Sequence, residues 1–125
     1  LFKKGIGTNE TKKIALRIAS VARSKKAQDL VILDMRAVCN FCDYFVILSG
    51  TSLRQINAIA EAIQEDLDLD TIKPRSRVHS NDESGWIVVD YSSVMAHLFY
   101  EPIREFYSLE RLWSDAKRVR IPKRI

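Results

Sequence analysis

The chain has 125 residues, 46% of them apolar and 29% charged, a composition that fits one globular domain with a single core. Its apolar runs are far shorter than the roughly 20 residues of a membrane-spanning helix, so a soluble protein without a membrane partner is expected. Two cysteines predict a reducing compartment, and a polar first segment predicts no signal peptide.

The net charge of +4 is unevenly distributed along the chain. Residues 1–26 carry a net charge of +7 and residues 117–125 a net charge of +5, whereas residues 27–116 carry −8. Basic ends of this kind suggest contact with a polyanion, since phosphate binding needs only a high density of lysine and arginine. The alternative interpretation is a solvated helix face followed by a frayed tail.

The first part of the chain predicts one helix and two buried strands. Residues 10–26 carry apolar side chains at helical spacing, and Asn9 or Thr8 can cap this helix. Residues 30–36 and 44–50 are short apolar runs with few polar residues, which is typical of central strands that are covered on both faces.

A second helix and a possible edge strand follow. Gly50 ends the second strand, and Ser52 with Gln55 forms a capping box for a helix that runs to about residue 68. The connection after it predicts a short edge strand near Val78.

The last part of the chain predicts a hairpin, a helix and a tail. Residues 86–90 and 94–99 are apolar runs around a polar turn. Pro102 suits the first turn of a third helix, whose apolar face extends to Trp113. The chain then leaves as a basic tail, where Pro122 discourages further helix.

This order of elements predicts an α/β fold, with helices packed on a mixed sheet of four to five strands. We expect a single domain over residues 1–125, with a folded core of about 10–113 and a basic tail over 114–125.

The pair Cys39 and Cys42 forms a C-x-x-C motif, for which redox and zinc roles are the functional interpretations. A redox pair belongs at a helix N-terminus, whereas this one precedes a strand. A zinc site needs four ligands, and only His79 and His97 remain as candidates. Two ordinary thiols and no bound metal are therefore favoured.

Two further motifs were weighed for nucleotide chemistry. The segment 49–52 (SGTS) could meet an anion, but a tight turn with a helix cap explains every residue of it. Asp34, Asp43 and Asp90 lie at strand ends, yet no strand carries the two acids at i and i+2 that a two-metal site needs. No catalytic residue and no cofactor are expected.

Four aromatic residues cluster in the sequence around the hairpin and the last helix: Trp86, Tyr91, Tyr107 and Trp113. Such residues build cores, and they also anchor protein interfaces. Spacing alone leaves both interpretations open, and His97 is expected to be a packed strand histidine because no nucleophile accompanies it.

Several segments together resemble the ribosomal silencing factor family, also called the RsfS or Iojap family. The segments are CDYFVILSGTSLRQINAIAEAI, GWIVVDYSSVMAHLF and REFYSLERLW, and the resemblance covers residues 10–113. It implies a nucleotidyltransferase-like core that has lost its catalytic acids. It also implies a factor, not an enzyme, that binds the large ribosomal subunit through ribosomal protein uL14 and sterically blocks the small subunit.

The resemblance also implies a partner-binding surface made of an aromatic strand residue, the start of the hairpin turn and the last helix. The residues at matching positions are Trp86, Tyr91 and Tyr107, with Asp90, His97 and Arg104 as supporting polar contacts. The basic ends are hypothesised to touch ribosomal RNA through Lys12, Lys13, Arg17, Lys117, Arg118, Arg120, Lys123 and Arg124.

Two departures from the family pattern lie near this surface. His79-Ser80 stands where the family usually has Glu-Gly, and Ser92-Ser93 stands where it has Gly-Asp. The bacterial cytoplasm is the expected location, with an organelle as the alternative, and self-association of the unbound protein is left open. A nucleotide-binding protein or residual nucleotidyltransferase and an RNA-binding assembly module remain the alternative functions.

Overall fold

The computed structural model describes residues 8–78 and 82–123, apart from the side chains of Thr8, Asn9, Phe106 and Tyr107. The helices and strands follow in the order α1 (Thr8–Ser24), β1 (Gln28–Asp34), β2 (Tyr44–Gly50), α2 (Leu53–Asp68), β3 (Trp86–Asp90), β4 (Val94–Tyr100), α3 (Glu101–Tyr107), α4 (Leu109–Leu112) and β5 (Lys117–Val119).

The five strands form one mixed sheet in the order β3-β4-β2-β1-β5. Strands β2 and β4 are parallel, and the other three neighbouring pairs are antiparallel. Every residue of β2 is buried, because its run of apolar side chains lies at the centre of the sheet. The predicted fold class of helices on a mixed sheet is confirmed.

One face of the sheet lies under the two long helices, and we call it the helix-covered face. The apolar stripes of α1 and α2 pack against it and form the larger core cluster. On β3, Ile87 and Val89 point into this core. Helix α2 begins as predicted, because the Ser52 side chain accepts a hydrogen bond from the Gln55 backbone N–H at 3.0 Å.

The opposite face is covered only in part, and we call it the open face. Its smaller core cluster is built from β1, β2 and β4 residues, under α4 and the loop over residues 35–43. Here Phe45, Ile47 and Phe99 are buried, while Trp86 and Met95 pack at the margin. This asymmetry leaves the outer side of the β3–β4 hairpin half-exposed.

Three predicted elements need correction. Among the described residues up to Val78, no strand forms; instead the Gln64 side-chain amide binds both backbone groups of Val78, so an amide replaces a strand partner. The predicted third helix is divided at Ser108, whose φ of 48° is left-handed and incompatible with a continuous helix.

The third correction concerns the tail. Residues 117–119 form β5, which pairs antiparallel with β1, so this part of the chain is sheet and not a free end. Smaller shifts affect the boundaries: the first helix covers Thr8–Ser24 and the first strand covers Gln28–Asp34. Thr8 and Asn9 thus lie inside α1, and their capping side chains, like His79 and Ser80, lie outside the described part of the structure.

Among the described residues, no helix has the length and hydropathy that crossing a bilayer requires.

Candidate protein-binding surface

The outer side of the β3–β4 hairpin carries a group of half-exposed side chains. On β3, exposure alternates with burial, so that Trp86, Val88 and Asp90 point away from the helices. Met95 lies opposite Asp90 across the antiparallel pair and is also half-exposed. We call these four residues the hairpin surface.

Aromatic contacts connect the hairpin surface to the loop between β1 and β2. The ring of Trp86 lies 6.0 Å from that of His97, which lies 4.5 Å from Phe45. Phe45 in turn contacts Trp113 edge-to-face at 6.1 Å, and Trp113 contacts Phe41 at 6.4 Å. A continuous row of aromatic contacts therefore runs through the open face. Phe45 and His97 in its middle are buried, and Phe41 at its far end is 57% exposed.

His97 holds the Trp86 ring in place from below. The indole N–H of Trp86 donates a hydrogen bond to His97 Nδ1 at 3.2 Å, so the imidazole carries its proton on Nε2. His97 is 5% exposed, and this burial lowers its pKa to about 4, despite a small opposing effect of Asp90. The residue is a neutral support at neutral pH, as a packed strand histidine should be.

Asp90 organises the hairpin turn. Its carboxylate accepts a hydrogen bond from the Ser92 backbone N–H at 2.7 Å and lies 4.0 Å from the Arg75 guanidinium. Ser92 has a φ of 69°, in the left-handed region where glycine is favoured. The aspartate bond thus fixes the turn at a position whose positive φ favours glycine.

Arg104 is 9% exposed and is fully engaged inside the protein. Its guanidinium donates to the Asp29 carbonyl at 2.5 Å and to the Ser49 hydroxyl at 2.8 Å, and it pairs with Glu110 at 2.6 Å. Burial raises the pKa of Glu110, but the hydrogen bond and charge of Arg104 outweigh it and leave this pKa lowered. The arginine anchors α3 and α4 to the sheet.

Two of the predicted aromatic contacts do not join the hairpin surface. Tyr91 is 8% exposed and belongs to the core of the helix-covered face, where burial raises its pKa to about 12. Tyr107 ends α3, and its side chain lies outside the described part of the structure. The fold therefore brings together Trp86, Asp90 and His97, while Arg104 and Tyr91 lie within the protein.

The acidic residues that were candidates for a two-metal site have partners within the protein. Asp34 pairs with Arg36, whose hydrogen bond lowers the pKa of the carboxyl, and Asp43 accepts a hydrogen bond from Thr11 at 3.0 Å. Among the described residues, no group of three or more histidine, cysteine or acidic side chains could hold a metal ion.

The glycine turn and the cysteine pair are also explained by packing. A Cβ at Gly50 would lie 2.7 Å from the Cγ2 atom of Ile56, so the glycine allows α2 to pack closely against the end of β2. The two sulfur atoms of Cys39 and Cys42 lie 4.0 Å apart as free thiols, and burial raises the pKa of Cys42.

Sequence reasoning missed part of the open surface. Val88 and Met95 share the exposed side of the hairpin with Trp86. The alternation of Val88 with Ile87 and Val89, and of Met95 with Val94 and Ala96, was a usable signal. Phe41 gave no such signal, because its exposure depends on how the loop folds over β2.

The chain is similar to known proteins in both sequence and structure. A family profile described as "Ribosomal silencing factor during starvation" matches residues 8–125. Ribosomal silencing factor RsfS of Bacillus subtilis is 38% identical over 83% of this chain and 88% of its own length. The mouse protein named mitochondrial assembly of ribosomal large subunit protein 1 is 32% identical over 78% of this chain and 43% of its own length.

A solved structure of a Chromobacterium violaceum protein supports the fold. It matches with a TM-score of 0.78 at 23% identity, over 84% of this chain and 87% of that one. The fold and the site together define a mixed α/β domain with one open aromatic face. The profile match and the bacterial relative identify it further: the chain belongs to the ribosomal silencing factor family.

Proposed function

We propose that this protein binds the large ribosomal subunit through ribosomal protein uL14 and prevents the small subunit from joining. The observation that carries the proposal is the hairpin surface, a half-exposed apolar and aromatic area on the face that the long helices leave open. Family membership supports the choice of a ribosomal partner. The mechanism is steric, because a bound domain occupies a surface that the other subunit must contact.

The geometry suits a rigid docking surface. Trp86, Val88 and Met95 lie on paired strands, so that little conformational entropy is lost when a partner covers them. Aromatic anchors at the centre of an interface exclude water, and truncating one costs about 2 kcal/mol or more of binding free energy. His97 acts as a positioning residue through its bond to the Trp86 indole.

The remaining predicted residues take different roles in this proposal. Asp90 lies at the polar edge of the surface, where a rim residue contributes more to specificity than to affinity. Arg104 and Tyr91 support the fold behind the surface. Tyr107, at the end of α3, remains a predicted partner contact because of the family resemblance.

We further propose that the protein is not an enzyme and acts in the bacterial cytoplasm, as relatives from bacteria suggest. The acids and the glycine turn have the structural partners described above, which favours a binding role over nucleotide chemistry.

Co-sedimentation with purified subunits tests the function. We expect the wild type to sediment with large subunits and to reduce the formation of joined ribosomes, and to bind isolated uL14. Val88→Lys places a charge at the centre of the hairpin surface and should weaken both effects by about tenfold or more. The matched control is Leu69→Lys, because Leu69 is 79% exposed at the end of α2 and should tolerate the change.

The outcomes separate the surface from the function. If the wild type and the Val88→Lys variant bind large subunits equally well, the contact lies elsewhere on the protein. A wild type that fails to sediment with large subunits would refute the function itself.

A further inference from the structure

Seven basic residues lie at the β5 edge of the sheet, which is the edge opposite to the β3–β4 hairpin. We call them the β5 strip. They come from the end of α1 and from β5 with the segment after it: Arg23, Lys25, Lys26, Lys117, Arg118, Arg120 and Lys123. All seven are exposed. Among the residues that the structure describes, none of them forms an ion pair with a carboxylate.

Most other basic side chains are neutralised locally. The hydrogen bond of Arg17 to Asp66, at 2.7 Å, and its pairing with Asp70 raise the pKa of this guanidinium. Similar pairs hold Arg36, Lys73 and Arg104 on the acidic body of the chain. The positive charge without a partner is therefore concentrated at one edge, and Arg17 does not belong to it.

The fold itself assembles the strip from two distant segments. Pairing of β5 with β1 places the last basic residues beside the end of α1. The Arg23 guanidinium then donates hydrogen bonds to the Pro122 carbonyl at 2.6 Å and to the Lys123 carbonyl at 3.1 Å. Arg23 and Arg118 line a shallow groove of about 310 Å³ between these segments.

Asp29, Glu101 and Glu105 line the same pocket as Arg118, but none of them forms an ion pair with a residue of the strip in the described part of the structure. Lys117 and Arg118 lie close enough to Asp34 and Glu110 to lower their pKa values, but these acids already have other arginine partners. Cations after the last turn of α1 also complement the helix dipole, an effect worth only about 0.3–1 kcal/mol. Seven unpaired charges exceed what the dipole explains.

We propose that the β5 strip binds the phosphate backbone of RNA. The segments 23–28 and 117–123 contain no aromatic residue on which a base could stack, so we infer contact with phosphates and no sequence preference. The strip lies four strands away from the β3 edge, a separation of about 19 Å, and so leaves the hairpin surface free.

The inference rests on the proposed function in one respect: it takes the RNA to be that of the ribosomal subunit. One domain would then contact a protein with the open face of its β3–β4 hairpin and RNA with the β5 edge of its sheet. It differs from the expectation drawn from the sequence, because the structure adds Arg23, Lys25 and Lys26 to the strip and separates Arg17 from it. Lys12 and Lys13 on the first turns of α1 are not part of the strip either, and Arg124 lies outside the described residues.

Fluorescence anisotropy with a short labelled RNA duplex tests the strip, over about 50 to 200 mM potassium chloride. The test variant combines Lys25→Gln, Lys26→Gln and Arg118→Gln. The control combines Lys12→Gln, Lys73→Gln and Arg77→Gln, which removes the same charge and the same residue types outside the strip. All six side chains are exposed, so both variants should fold.

We expect the test variant to bind RNA about tenfold more weakly at the lowest salt, with a log–log salt slope smaller by about 2 to 3. The control should keep the wild-type slope. Equal slopes for the two variants would overturn the proposal. Tighter binding to vesicles containing phosphatidylserine than to RNA would also overturn it, in favour of a membrane surface.

Subunit sedimentation separates this proposal from the function. The wild type could fail to sediment with large subunits while the test variant shows the expected smaller salt slope of RNA binding. That result would support the β5 strip and contradict the proposed function. Val88→Lys could abolish subunit binding while the test and control variants bind RNA with equal affinity and equal salt slope. That result would support the proposed function and contradict the β5 strip.

Discussion

The two faces of the sheet give adjacent residues of one strand different environments. Val89 points into the core of the helix-covered face, whereas its neighbour Val88 lies half-exposed on the open face. Two long helices bury the first face and make it a source of folding free energy. The second face is closed only by two short helices and a loop, and so retains half-exposed apolar and aromatic side chains that the proposed partner would cover.

The largest loss of stability is expected under the long helices. Ile63→Ala removes a fully buried side chain of α2 from the core of the helix-covered face. The lost burial and the remaining cavity should lower the free energy of unfolding by about 3 kcal/mol. Urea denaturation measures this change, and a loss below about 1 kcal/mol would mean that the helices contribute less than their packing indicates.

On the open face, a comparable loss should appear on mild acidification. The pKa of folded His97 is about 4 and that of an unfolded histidine about 6.5, so the unfolded chain binds more protons between these values. Stability should therefore fall as pH falls through this window, by about 2 kcal/mol between pH 7 and pH 5. Urea denaturation at both values, with His97→Gln as the variant that cannot titrate, measures the effect.

Carboxylates with lowered pKa values, such as Asp34 and Asp68, lose their stabilising effect only at lower pH. If the free energy of unfolding falls by the same amount between pH 7 and pH 5 in the wild type and in His97→Gln, the pH dependence comes from another group.

Adjacent valines of β3 provide a matched comparison of the two faces. Val89→Ala should lower the free energy of unfolding by about 1.5 kcal/mol, because it opens a cavity, whereas Val88→Ala should change it by about 0.5 kcal/mol or less. Binding to large subunits should respond in the reverse order. If both variants lose stability equally, the open face is more tightly packed than its half-exposed residues indicate.

The smallest effect is expected at the start of α2. Ser52→Ala removes the side-chain acceptor of the Gln55 N–H and should cost about 1 kcal/mol of stability. Thermal unfolding measures it, with Ser24→Ala at the exposed end of α1 as the control. An equal shift in both variants would show that the cap contributes nothing specific.

The fold was largely predictable from the sequence because its strongest signals are local. The apolar run over Tyr44–Gly50 and the cap at Ser52 gave correct boundaries for β2 and the start of α2. The break at Ser108 could not be predicted, since a serine with positive φ depends on tertiary contacts such as those of Arg104. Nor could β5, whose three residues become a strand only by pairing with β1.

The site was predictable in part for the same reason. Trp86 stood out by residue type, whereas Val88 was not singled out, although it lies two residues from Trp86 on the same side of β3. The burial of Arg104 and Tyr91 depends on which elements cover each face, and a linear pattern does not contain that information.

The pairing of β5 with β1 also constrains the order in which the protein can be completed during synthesis. The outer edge of β1 has no strand partner until residues 117–119, near the end of the chain, have been made. Contacts of such large sequence separation form late, and an unpaired strand edge is prone to associate with other chains. A nascent chain or a truncation that lacks these residues would expose this edge, so that the last strand protects the sheet from aggregation.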